Sequence, residues 1–76
     1  MEHIITEELK NLMKQLSEQT EKDRKRRWIL LCKDENGRII PSDVYIGNES
    51  PTTITEKMQC PENTTEVGIF HSNPTV

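Results

Sequence analysis

A change of hydrophobic period near residue 28 constrains the fold more than any other feature of this sequence. Before it, apolar residues recur with helical spacing. Leu9, Leu12, Met13 and Leu16 stand at i, i+3, i+4 and i+7 and share one helix face. Thr6 precedes them as a candidate N-cap, and Glu7 and Glu8 fall in the first turn, where the helix dipole favours negative charge. Glu18–Lys22 and Glu21–Lys25 are correctly ordered i,i+4 pairs. The basic residues Lys22, Arg24, Lys25, Arg26 and Arg27 gather at the far end. These signals predict a helix within 1–27 with a basic C-terminal end, its last turns held by charge pairing because the apolar stripe stops at Leu16.

From Trp28 the pattern loses its helical period. Trp28-Ile29-Leu30-Leu31-Cys32 is a short unbroken run of strand-forming residues, which suits a strand covered on both faces. Asn36-Gly37 follows, the strongest short-range hairpin signal, and a two-residue turn there sets Glu35 opposite Arg38. The return strand runs from Arg38 through Ile39 and Ile40 to Val44, Tyr45 and Ile46, with Pro41 bending it or marking an edge. Residues 47–53 read as a turn-rich loop, 54–58 as a short strand or turn, and 66–71 as a final apolar strand. The fold class expected is α+β in a single domain, 1–76. An N-terminal amphipathic helix packs on a small, mainly antiparallel sheet that contains a β-hairpin and occupies 28–76.

Composition limits what such a chain can do. Only 32% of its 76 residues are hydrophobic and 30% are charged, so core residues are scarce and a protein partner or self-association is expected to complete the fold. The net charge of −3 gives no global field toward nucleic acid or anionic membrane. No stretch approaches the length of apolar sequence that spans a bilayer, and MEHIITEELK lacks the basic-then-apolar order of a signal peptide. A cytoplasmic location is therefore expected. Cys32 and Cys60 are too few for a disulfide framework and read as structural thiols; the acceptor patterns at Asn48 and Asn63 read as chance. His3, Cys32, Cys60 and His71 include no pair at a zinc-site spacing.

One motif carries chemistry. Val67-Gly68-Ile69-Phe70-His71-Ser72-Asn73-Pro74 resembles the core motif of the JAMM (MPN-domain) metalloproteases, in which an apolar strand leads into His-x-His-Pro. In that family the two histidines bind zinc, because residues i and i+2 of an extended chain project to the same side. The resemblance implies a metal-ligand position at His71 and covers the first half of such a domain. It also brings departures. Asn73 stands where the second histidine belongs, and Arg26 falls near the place of the catalytic glutamate. One ligand without a base is not a catalytic site, so zinc is expected only if another chain completes it. The functional expectation is a non-catalytic protein-interaction module resembling a truncated JAMM domain. Two alternatives stand beside it: a small regulatory or nucleic-acid-associated protein that uses Lys22, Arg24, Lys25, Arg26 and Arg27 on phosphates, and a metalloprotease half-domain completed by another chain.

Overall fold

Thr6 begins the first helix as its spacing suggests: its hydroxyl accepts from the Leu9 amide at 3.1 Å. In the computed structural model, which describes residues 4–76, a short strand β1 (Ile4–Ile5) precedes this helix, α1 (Glu7–Asp23). The sheet contains β2 (Arg27–Lys33), β3 (Arg38–Pro41), β4 (Tyr45–Ile46) and β5 (Thr65–Ser72), with a second helix, α2 (Pro51–Lys57), between β4 and β5. The fold is α+β, with α1 packed on a five-stranded sheet. β2 is the central strand. It pairs antiparallel with β3 and β4 along one side and with β5 along the other, while β1 joins β3 in parallel. The N-terminal strand was not expected from the sequence.

Successive strand residues face opposite sides of a sheet, and β2 uses both. Ile29 lies in one core with Leu9, Leu16 and Ile39, flanked by half-buried Leu12, Met13, Leu31 and Phe70. Trp28, Leu30 and Cys32 point to the other face and are equally buried. The chain from 47 to 60 crosses that second face. Trp28 Nε1 donates to the Gly47 carbonyl at 2.9 Å at one end, and Cys32 is disulfide-bonded to Cys60 at the other. Between these anchors α2 buries Ile54 completely. The two-sided cover expected for 28–32 is present, and the protein's own chain supplies it.

Several local expectations need correction. Helix α1 ends at Asp23, with Arg24 in the left-handed conformation (φ 62°), so Arg27 belongs to β2 and not to a helix running to 27. Glu21 pairs at 3.3 Å with Arg24, three residues on, and not with Lys25 as its spacing suggests, because Lys25 lies past the helix end. Residues 51–57 form a helix, because Ser50 accepts from the Thr53 amide and Pro51 occupies the first turn, where its missing N–H costs nothing. The hairpin loop has three residues, Glu35, Asn36 and Gly37; only Gly37 takes positive φ (82°), and Asp34 stands opposite Arg38. The Asp34 carboxylate decides this geometry by accepting from the Asn36 and Arg38 amides, both at 2.9 Å, which favours a type I turn followed by a glycine over the two-residue form. Cys32 and Cys60 are bonded and are not thiols. His3, weighed as a metal ligand from the sequence, lies outside the described residues.

Candidate functional site

The end of β5 carries the motif singled out in the sequence. β5 is apolar and extended, so His71 and Ser72 leave on opposite faces. Exposed His71 lies on the Trp28 side, its ring stacked at 4.7 Å and 27° on the indole, its cross-strand neighbour. Ser72 points into the α1 side and is buried. There it closes a chain of hydrogen bonds. Arg27 donates to the Thr20 hydroxyl (3.4 Å), the Thr20 and Ser72 hydroxyls share a bond of 2.6 Å, and Ser72 donates to the Leu16 carbonyl (3.5 Å). Asn73 follows just past the strand and is exposed. Among the described residues, no group of three or more His, Cys, Asp and Glu side chains is placed to hold a metal ion.

The basic run is dispersed rather than gathered. Arg27 is buried and grips Asp23 with both guanidinium arms, one at 2.8 Å. The Arg27 hydrogen bond holds the Asp23 carboxyl well below the usual carboxylate range, and Asp23 in turn raises Arg27. Arg24 bonds Glu21 and the Thr75 carbonyl, while Glu21 accepts from Thr75, whose hydroxyl bond is the main cause of its lowered pKa. Two of the five cations thus fasten the C-terminal segment and β2 to the end of α1. Lys22 is exposed on the last turn of α1 and Lys25 just past its end, and Arg26 is half-buried, with its backbone N–H donating to Asn48.

A different surface gathers apolar side chains in the open. Helix α1 packs on β5, β2 and Ile39 of β3, and toward β4 the sheet is less covered. Two hollows of about 470 and 540 Å³ meet there at Leu12. The first lies between the start of α1 and β3, over Ile39 and Pro41; the second lies between the later turns of α1 and β4, over Val44 and Ile46. Val44 is 43% and Ile46 51% exposed, unusual values for residues on the core side of a sheet. Ile46 is on that side because it pairs with Arg27, whose side chain reaches α1. The sequence offered a signal for this groove in Val44-Tyr45-Ile46, where two apolar residues flank one that faces the opposite side. No position in it was singled out as functional, because exposure cannot be read from a short apolar run.

A smaller polar cluster tops α2. Tyr45 donates to Glu49, and the Lys57 ammonium lies 3.3 Å from both oxygens. The tyrosine bond is the leading cause of the lowered Glu49 pKa and of the raised Lys57 pKa. All three side chains satisfy one another at the surface, which describes a staple between β4 and α2. No protein-family description, curated protein or solved structure matches the chain.

Proposed function

We propose that this protein is a non-catalytic protein-interaction module, resembling the first half of a JAMM domain, that binds a protein partner through the groove between α1 and the β3–β4 side of the sheet. The observation that carries this is the exposure of Val44 and Ile46 on the face where the core lies, contiguous with half-buried Leu12 and Pro41. Exposed apolar clusters of this kind lose free energy to water and mark contact sites. The His71 end of β5 supports a binding role over a catalytic one: its imidazole is stacked on Trp28, and its sequence neighbours are a buried hydroxyl and an amide. Residence in the cytoplasm is part of this proposal, and the Cys32–Cys60 bond gives its sharpest test, since disulfides are rare in that compartment. Thiol trapping in intact cells that found the bond closed would argue for an oxidising location.

The functional test is selection of ligands from a displayed peptide library, followed by mapping on the amide resonances of the protein. The expected result is binding that perturbs Leu12, Val44 and Ile46 and is lost in Ile46→Lys. Ligands that map elsewhere, or zinc-dependent cleavage of a ubiquitin-like fusion by the chain, would overturn the proposal.

A further inference from the structure

We infer that the Cys32–Cys60 bond is a redox-operated latch: a dithiol opens it at Cys60, a peroxide closes it, and opening lifts the C-terminal end of α2 from the sheet. This rests on the cytoplasmic residence proposed above, where the disulfides that form are mostly transient, catalytic or redox-sensing. It does not depend on the groove beside α1.

Position makes the two sulfurs unequal. Cys32 lies in β2 and is wholly buried, whereas Cys60 stands in the loop after α2 and is half-buried. A surface hollow of about 500 Å³ is lined by Cys60 together with Pro41, Asp43, Gln59, Pro61 and Glu62. An incoming thiolate therefore meets the Cys60 sulfur. It bonds to that sulfur, the Cys32–Cys60 bond breaks, and the Cys32 sulfur leaves with the electron pair and takes a proton from water. Cys32 stays beside the mixed disulfide, so a monothiol is attacked in turn and expelled. A dithiol escapes this reversal. Its second thiol attacks its own sulfur in the mixed disulfide, closes its own disulfide and releases Cys60, and two electrons have passed to the protein. In the other direction the Cys60 thiolate attacks a peroxide, the O–O bond breaks, water leaves and a sulfenic acid forms. The Cys32 thiol then bonds to the Cys60 sulfur and a second water leaves.

Geometry defines what the bond holds. From Trp28 to Cys32, β2 advances about 13 Å. Helix α2 has seven residues and is about 10 Å long. Gly47, held by Trp28, and Cys60, held by Cys32, thus pin the helix across the strand with little chain to spare. With the bond open, the next strand pairing after α2 is Thr65 with Lys33. Gln59, Pro61, Glu62 and Asn63 are exposed, and the Thr64 hydroxyl bonds locally, to the Pro61 carbonyl. This stretch becomes slack, and α2 rises at its C-terminal end. Lys57, at that end, also contacts Tyr45 and Glu49, so its departure withdraws a contact from β4, the strand that carries Ile46.

The experiment uses the whole chain, with dithiothreitol and hydrogen peroxide as the probes, and reads amide hydrogen exchange residue by residue. Reduction is expected to speed exchange of the α2 amides by roughly tenfold or more relative to those of α1 and of the β2–β5 pairing, the mark of a local opening, and peroxide restores the oxidised pattern. The variant Cys60→Ser shows fast α2 exchange without dithiothreitol and ignores both reagents. Dispersed amide resonances confirm that it folds; if it does not, exchange in the parent decides alone. If α2 and α1 accelerate together, the bond steadies the whole fold and is no latch; if neither changes, α2 is held without it. Either result overturns the inference and leaves the cytoplasmic reading standing. Thiol trapping in intact cells separates the two, with the bond expected open at rest and closed after a brief dose of peroxide. A bond open in both conditions overturns the switch alone, and one closed in both overturns the switch and the cytoplasmic residence together.

Discussion

Gly37 is the residue at which local geometry is least negotiable. Its φ of 82° lies in the left-handed region, where a β-branched side chain is strained. Gly37→Val is expected to lower unfolding stability by about 1–2 kcal/mol, read from urea midpoints, and an unchanged midpoint would refute the turn geometry. The importance of this glycine was legible in Asn36-Gly37; the loop length was not, because it depends on which amides the Asp34 carboxylate captures. Arg27 illustrates the opposite case. In the sequence it is the last of a basic run, yet in the fold it is buried against Asp23 and Thr20. Nothing in a string of cations reveals which one turns inward, because that follows from α1 ending at Asp23. The Asp23 pairing has a pH signature. Its folded pKa is depressed, so its stabilisation is present above the unfolded value of 3.8 and fades as pH falls through the lower folded value. Asp23→Asn is therefore expected to melt below the parent at neutral pH, with the gap closing as the pH drops below about 4. A gap constant across thermal melts from neutral to strongly acid pH would show that the pair does not act through its charge.

At the scale of elements, α2 and its flanks solve the problem posed by a strand that is apolar on both faces. The strand itself was legible: an unbroken run from Trp28 to Cys32 has no polar face to show water. What covers it was not, because Thr52, Thr53 and Thr55 obscure a helix whose Ser50 cap and Pro51 start are plain in hindsight. Ile54 is fully buried on that helix, so Ile54→Ala is expected to cost about 2–4 kcal/mol in denaturant unfolding; a surface-like cost below about 0.5 kcal/mol would show that α2 does not close the face. The Cys32–Cys60 bond fastens the same segment across a sequence separation of 28. Closing a loop of that length restricts the unfolded chain by about 3–4 kcal/mol at room temperature on the chain-entropy account. Reduction should lower the unfolding free energy by that order, and the double variant Cys32→Ala, Cys60→Ala should lose its response to reductant. Strand β5 has its own device. Its register skips Val67 between Glu66 and Gly68, and such a bulge, with a glutamate beside it, discourages another strand from adding to this edge.

Over the whole molecule, the scarcity of apolar residues read in the sequence is met by several means. The disulfide and α2 close one face of the sheet from within, and the Arg27–Thr20–Ser72 chain ties α1 to β5. What stays open is the strip from half-buried Pro41 to exposed Val44 and Ile46, beyond the buried Ile39 that α1 covers. No pattern of residues could have disclosed that strip, because it depends on where α1 crosses the sheet. An uncovered apolar strip has a consequence even without a partner. Two copies at high concentration are expected to remove water from it by meeting strip to strip. A contact confined to so short a strip is expected to fall short of the 1,200 Å² or so typical of stable complexes, and to be weak and reversible. The thermal midpoint should therefore rise with protein concentration, since association that favours the folded state stabilises it by mass action. Ile46→Lys should abolish that rise while leaving the midpoint of the dilute protein nearly unchanged, because Ile46 is already 51% exposed and contributes little to the core. Melts from micromolar to millimolar concentration, with sedimentation equilibrium alongside, make the comparison. A midpoint independent of concentration in the parent would show that water tolerates the strip. A concentration dependence that persists in Ile46→Lys would place the self-contact elsewhere, with the outer face of β5 at Val67 and Ile69 the next surface to alter.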